Sequence, residues 1–206
     1  MKRIAILASG TATGGGSGFE KLVEASRCGV LNAEVLCVLS NYESGGVRER
    51  ADRLGIRFEH FASPWTPERF HNLVGGDVDL VCMSGWLKPL VGLNPTKTIN
   101  IHPGPLPGFG GKGMYGKHVH EAVIDAYHQG KIKSSAVTMH FVTDNYDEGP
   151  AFLRHRVPLR PTDTPESVGA RVNAAEHEVQ ALYTQYVLDG RIRWDGVNLD
   201  SLVIDL

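Results

Sequence analysis

Arg3-Ile4-Ala5-Ile6-Leu7-Ala8, then Ser9-Gly10-Thr11-Ala12-Thr13-Gly14-Gly15-Gly16-Ser17-Gly18, then Phe19-Glu20-Lys21-Leu22-Val23 decide the fold. The first six residues are almost uniformly apolar, the pattern of a central parallel strand covered on both faces. They break at Ser9-Gly10. Beyond the loop, Phe19, Leu22, Val23 and Ser26 mark one face of a helix that Gly29 stops. Strand, glycine-rich loop and helix in this order make a phosphate-binding arrangement. Glycines let the backbone approach an anion, and the free N–H groups of the first helical turn point at it. The loop matches neither a Walker Gly-Lys-Ser/Thr nor a dinucleotide fingerprint with its ribose acid in place, so a flexible surface turn stays open as a reading.

Working outward, the alternation of strand and helix continues. Residues 34–40, 56–61 and 79–84 read as strands, and Gly46–Leu54 reads as a helix closed by Gly55. Thr66-Pro67-Glu68 supplies a cap, a first-turn proline and an acid for a helix through Val74. The strand ending at Ser84 breaks at Gly85-Trp86-Leu87-Lys88-Pro89-Leu90, at the strand edge where open α/β sheets bind ligands. Trp86, Leu87 and Leu90 either line a slot for a flat heterocycle or cover the core.

Residues 98–107, Thr-Ile-Asn-Ile-His-Pro-Gly-Pro-Leu-Pro, end another buried strand. Asn100 and His102 are two apart, so their side chains leave the same face. An amide N–H suits an oxygen that becomes negative, and an imidazole suits polarising that oxygen or moving a proton. A polar strand end satisfied by backbone and water is the alternative. A glycine-rich loop over residues 108–116 follows, then a helix over 117–129 with Val119, Val123, Ala126 and Tyr127 inward. Its His118, His120 and His128 lack a fourth ligand at a recognisable spacing and read as exposed, not as a metal site.

Residues 135–143 are the next strand, ending in Thr143-Asp144-Asn145-Tyr146-Asp147-Glu148-Gly149-Pro150. Those carboxylates read either as a solvated turn or as a partner for His102. Residues 152–159 are a further strand. Asp163-Thr164-Pro165-Glu166 opens a long helix, with the acid three residues after the cap, and Asp189-Gly190 ends it. Residues 191–194 read as a short edge strand, and the tail beyond carries no pattern.

The length of 206 residues suits one domain with a substantial core, and a net charge of −2 with mixed signs suggests neither a nucleic-acid groove nor a membrane surface. Cys28, Cys37 and Cys82 are odd in number and sit among apolar neighbours, as reduced, buried thiols do in a cytoplasmic protein. Lys2 and Arg3 precede only a short apolar run, which reads as the first strand and not as a leader or membrane span.

Together, Asn100-Ile101-His102-Pro103 with Leu106-Pro107, and His140-Phe141-Val142-Thr143-Asp144 running on to Asp147-Glu148-Gly149-Pro150, resemble the folate-dependent formyltransferases. The resemblance covers nearly the whole chain, to the helix containing Glu176-His177. It implies a Rossmann-like α/β fold, a mostly parallel twisted sheet with helices on both faces. It further implies transfer of a formyl group from 10-formyltetrahydrofolate, as co-substrate, to the amino group of glycinamide ribonucleotide, with no metal. By the family's motif, Asn100 and His102 stabilise the oxyanion and Asp147 partners His102 and assists proton transfer. The same matching puts the substrate phosphate on Gly15, Gly16, Ser17 and Gly18 and a ribose hydroxyl on Glu176. Folate falls along Trp86, Leu87, Lys88, Pro89 and Leu90, with Thr143 and Asp144. The first loop is longer than the family's usual one by about four residues and has Gly18 where Asn is usual. Lys88-Pro89 stands where Arg-Ile is common. Formyl transfer to another phosphorylated amine and a non-catalytic folate- or nucleotide-binding module are the competing readings.

Overall fold

The computed structural model describes residues 1–74 and 78–206, and its centre is a seven-stranded sheet. The strands are β1 (Lys2–Leu7), β2 (Ala33–Ser40), β3 (Arg57–His60), β4 (Leu80–Ser84), β5 (Thr98–His102), β6 (Ser134–Phe141) and β7 (Ala151–Pro158). They lie in the order β3-β2-β1-β4-β5-β6-β7. Pairing is parallel from β3 across to β5, and β6 and β7 add antiparallel partners. The helices are α1 (Ser17–Arg27), α2 (Gly46–Leu54), α3 (Pro67–Val74), α4 (Lys117–His128) and α5 (Pro165–Leu188).

Side-chain alternation along β1 separates two cores. Ile4 and Ile6 meet Phe19 and Leu22 of α1, Val119 and Val123 of α4, and Val168 and Val172 of α5. Ala5 and Leu7 face the other way, towards Leu39, Phe61, Phe70 of α3, and Trp86. Each fully buried large apolar side chain contributes roughly 1.5–3 kcal/mol, so a central strand buried on both faces anchors the sheet. The chain winds outward from β1 through β2 to β3, then crosses back to β4 and continues to β5. The topological switch therefore falls between β1 and β4, and the crevice beyond their carboxyl ends is where such sheets take ligands.

Several expectations change. Cys37 and Cys82 are buried, and burial pushes the Cys82 thiol up to about 12, but Cys28 is exposed because it lies just past the last turn of α1. His118 and His128 are exposed as expected, whereas His120 is buried on the inner side of α4. The cap of α5 is Thr164, not Asp163. Pro165 has no N–H and a fixed φ, so it occupies the first helical position and shifts the cap to its predecessor. Thr164 and Ser167 then close a reciprocal capping box, and Asp163 pairs with Arg171 instead. Residues 191–194 do not edge the main sheet. Strand β8 (Ile192–Arg193) pairs with β9 (Val203–Ile204) from the tail, with Ile192 and Trp194 buried. Among the described residues no helix is long and apolar enough to cross a membrane.

Candidate active site

The switch-point crevice is a cavity of about 530 Å³. Its first wall is the glycine-rich loop. Residues 11–14 close on themselves, Thr11 N–H donating to the Gly14 carbonyl at 2.8 Å, and the Thr11 carbonyl also accepts the Gly46 N–H at 3.3 Å. The extra loop length is thus folded into a small bridge at the start of α2. Gly15, Gly16, Ser17 and Gly18 remain to border the cavity. Gly16 caps α1 with φ 80° and no side-chain hydrogen bond, so the first-turn N–H groups of α1 lack the usual side-chain acceptor. Gly18 has no room for a side chain: a Cβ there would lie 2.1 Å from Ser84 Oγ and 3.0 Å from Gln180 Oε1. On the opposite wall, α5 presents Glu176, whose carboxyl is pushed up to about 7 by burial although Asn173 Nδ2 donates to it at 3.3 Å.

The third wall is the end of β5. Antiparallel register sets Asn100 directly opposite His140 and His102 opposite Thr138. His140 Nδ1 donates to the Phe141 carbonyl at 2.7 Å, which leaves its Nε2 as an acceptor for Asn100 Nδ2 at 3.1 Å. One amide hydrogen of Asn100 is thereby fixed on His140, and the orientation of the other is set with it. Thr138 holds the chain after β5 in place, donating to the Gly104 carbonyl at 2.7 Å and accepting the Leu106 N–H at 3.3 Å.

His102 is buried, and its Nε2 donates to the Phe109 carbonyl at 2.7 Å. Its Nδ1 faces Asp147 Oδ2 at 3.7 Å. Asp147 has left-handed backbone at φ 57°, uncommon for a residue with a side chain, and Oδ2 accepts the Gly111 N–H at 2.9 Å. Asp147 Oδ1 lies 3.5 Å from His140 Nε2. Burial raises the Asp147 carboxyl, but its polar surroundings, the Gly111 N–H among them, outweigh it and hold the group below its ordinary value. Burial lowers His102, and the opposing pull of Asp147 and the Phe109 carbonyl does not offset it.

A fourth wall carries the β4 break. Trp86 stacks in the core with Phe61 and borders the cavity, so the two readings of this stretch hold together; Leu87 is 40% exposed. Lys88, Pro89 and Leu90 line a smaller recess of about 60 Å³ with Thr143 and Asp144, and this recess shares Asn100 and Asp147 with the main cavity. The Leu87 N–H donates to Ser9 Oγ at 2.9 Å, tying this wall to the glycine loop.

An anion-ready helix start, an amide donor, an imidazole and a carboxylate thus border one cavity, and the sequence pattern of the formyl transferase family matches residues 2–184. The chain belongs to that family. It is 34% identical over 212 residues to the chloroplastic phosphoribosylglycinamide formyltransferase of Arabidopsis thaliana, covering 96% of this chain and 70% of the relative. The corresponding protein of Vigna unguiculata is also 34% identical, with 96% of this chain and 65% of the relative covered, so the chain spans about two thirds of these plant proteins. The crystal structure of glycinamide ribonucleotide transformylase 1 from Symbiobacterium toebii superposes with a TM-score of 0.80 at 28% identity, covering 99% of this chain and 94% of that one.

Within this formyl transferase, sequence reasoning assigned no role to His140, which orients Asn100, nor to the Phe109 carbonyl and Gly111 N–H, which hold His102 and Asp147. His140 had a signal in its place on a buried strand, but the partner depends on register between β5 and β6. Backbone groups of a loop leave no signal in residue identity.

Proposed function

We propose that this formyl transferase carries a formyl group from 10-formyltetrahydrofolate to the amino group of glycinamide ribonucleotide, a step of purine synthesis, by direct attack of the amine. The observation that carries the reading is the convergence of Asn100, His102 and Asp147 on the same cavity as the open first turn of α1. The names of the relatives support the same acceptor. Residues 1–206 work as a single formyltransferase domain, in the cytoplasm and without a metal.

In this account the substrate phosphate takes the N–H groups from Gly15 to Gly18, where backbone donors and the helix dipole favour an anion. Glu176 holds a ribose hydroxyl. Folate lies along Trp86, Leu87, Lys88, Pro89 and Leu90, with Thr143 and Asp144 at its polar edge; one apolar indole wall and adjacent polar loop groups suit a flat, hydrogen-bonding heterocycle. The amine lone pair attacks the formyl carbon and the carbonyl electron pair moves to oxygen. The second N–H of Asn100 and the imidazole of His102 stabilise that oxyanion. Asp147, held ionised by its neighbours, receives the amine proton through water. The C=O bond then re-forms, the bond to the folate nitrogen breaks, and that nitrogen takes the proton that Asp147 received, returned through the water.

The Nε2–H of His102 is held by the Phe109 carbonyl. Its use on the formyl oxygen requires that hydrogen bond to be shared or exchanged, which makes the loop over residues 108–116 part of the catalytic cycle.

The test is release of tetrahydrofolate from 10-formyltetrahydrofolate with and without glycinamide ribonucleotide, with His102→Ala as control. Acceptor-dependent turnover lost in the variant is expected. Turnover without acceptor contradicts transfer, and folate binding without turnover favours the binding-module reading.

A further inference from the structure

Ser84 and Gln180, buried on the cavity, hydrogen-bond each other, whereas His120 is left both unused by the mechanism and unpaired at one ring nitrogen. His120, the fourth residue of α4, is 8% exposed and borders the cavity, and its Nδ1 is enclosed with no hydrogen-bond partner. The opposite edge of the ring lies over Gly169 of α5. A Cβ at Gly169 would stand 3.0 Å from His120 Cδ2 and 3.2 Å from Nε2, so the glycine makes the space this edge occupies, and Gly169 also borders the cavity. Burial, with His102 nearby, lowers the affinity of His120 for a proton and favours the neutral imidazole. A neutral ring carries one N–H. Placed on Nδ1 it would be a buried donor with no acceptor, which costs about 1–3 kcal/mol; placed on Nε2 it can be met from the cavity.

The position of this donor is set by α5. Gly169, Asn173, Glu176 and Gln180 recur at spacings of three and four and form one stripe along the cavity. At one end Gln180 meets Gly18 of the anion loop, Glu176 lies between, and Gly169 with His120 lies about 10 Å beyond Glu176 along the helix axis. An acceptor anchored by its phosphate at the loop and its sugar at Glu176 therefore extends its amine-bearing arm past Glu176 towards His120 and His102.

We infer that His120 recognises the acceptor, donating a hydrogen bond from Nε2 to the amide oxygen of the arm that carries the reacting amine. The inference rests on the proposed function for its ligand. It makes His120 a residue that selects an amide-bearing arm over a bare amine, and Gly169 the residue that admits the ring edge.

The experiment is calorimetric titration of glycinamide ribonucleotide into the wild type, His120→Phe and His120→Gln, with KM measured for both substrates. Phe keeps the ring and removes the donor, and Gln restores an N–H near the place of Nε2. The expected result is acceptor affinity weakened about ten- to a hundredfold in His120→Phe, largely recovered in His120→Gln, with the KM for 10-formyltetrahydrofolate within about twofold of wild type. Unchanged acceptor affinity in His120→Phe, equal weakening of both substrates, or no recovery in His120→Gln overturns the inference. An acceptor analogue with the arm carbonyl reduced to methylene gives the same test on the ligand side if His120→Phe does not fold. The wild type must then lose affinity for the analogue by a similar factor, and equal binding of the two ligands overturns the inference. Wild-type protein that binds the acceptor without turning it over contradicts the proposed function while the His120 comparison still reads out; wild-type protein that does not bind it contradicts both.

Discussion

The side chain that the chemistry depends on most simply is Asn100, whose amide is oriented by His140. Removing one oxyanion donor typically lowers the rate a hundredfold to a thousandfold, about 2.7–4 kcal/mol, so Asn100→Ala is expected to lose that much kcat with its melting temperature nearly unchanged. Steady-state kinetics beside a thermal melt check this, and near-normal turnover would remove Asn100 from the oxyanion site. The Asp147 charge raises the affinity of His102 for a proton against the stronger effect of burial. Asp147→Asn removes that charge, so His102 deprotonates at lower pH and the corresponding limb of the kcat/KM profile moves to the acid side. A profile that overlays the parent's contradicts the coupling. At this scale the sequence made Asn100 and His102 legible through strand periodicity. It left His140 unread, because only the register across β5 and β6 puts that ring against the amide.

Among the elements, the loop after β5 carries the greatest dependence on small residues. A Cβ on Gly110 would lie 2.3 Å from Leu106 Cδ2 and 2.9 Å from Asp147 Cβ, so Gly110→Ala pushes directly on the segment whose neighbours bind His102 and Asp147. Misplacing a reacting group by about 1 Å costs on the order of a hundredfold, while overpacking costs roughly 1–3 kcal/mol of stability. The expected outcome is a folded protein with kcat reduced at least tenfold, and unchanged kcat would show that the loop does not hold the pair. Gly18→Ala tests the other loop: its Cβ meets Ser84 and Gln180, so acceptor KM is expected to rise about tenfold or more, while the KM for folate stays put. Equal changes in both, or none, would separate this loop from acceptor binding. The glycine runs were readable as loops, and the start of α3 from Thr66-Pro67-Glu68. What the residues could not convey is that 11–14 close into a bridge on α2, whereas the α5 cap at Thr164 was signalled by Pro165 and missed.

For the molecule as a whole, stability and function are coupled through the cavity that the switch point creates. Glu176 has its proton affinity raised to about 7 by burial against an ordinary 4.5. Between those values the folded protein holds a proton that the unfolded chain has released, so the stability this group contributes is present at the acid end and is lost as pH rises through about 7. Glu176→Gln removes the titration. The melting temperature of the variant is expected to gain on wild type between pH 5 and pH 8 in the absence of substrate, and parallel curves would show that the carboxyl is not confined. The fold itself was largely legible, because β1 with its loop and helix announces a parallel sheet and the later strands alternate cleanly. The meeting of residues about 160 positions apart, Ser17 with His177 at 3.2 Å, is a property of winding order that no local pattern encodes. The same winding puts the anion loop and the Asn100 group on one cavity, and this juxtaposition is what the proposed transfer reaction rests on. The most direct test is to supply 10-formyltetrahydrofolate labelled with ¹³C in the formyl group together with glycinamide ribonucleotide and follow the label by NMR. The account predicts that it appears as a formamide on the acceptor nitrogen; label recovered as free formate, with the acceptor unmodified, would contradict it.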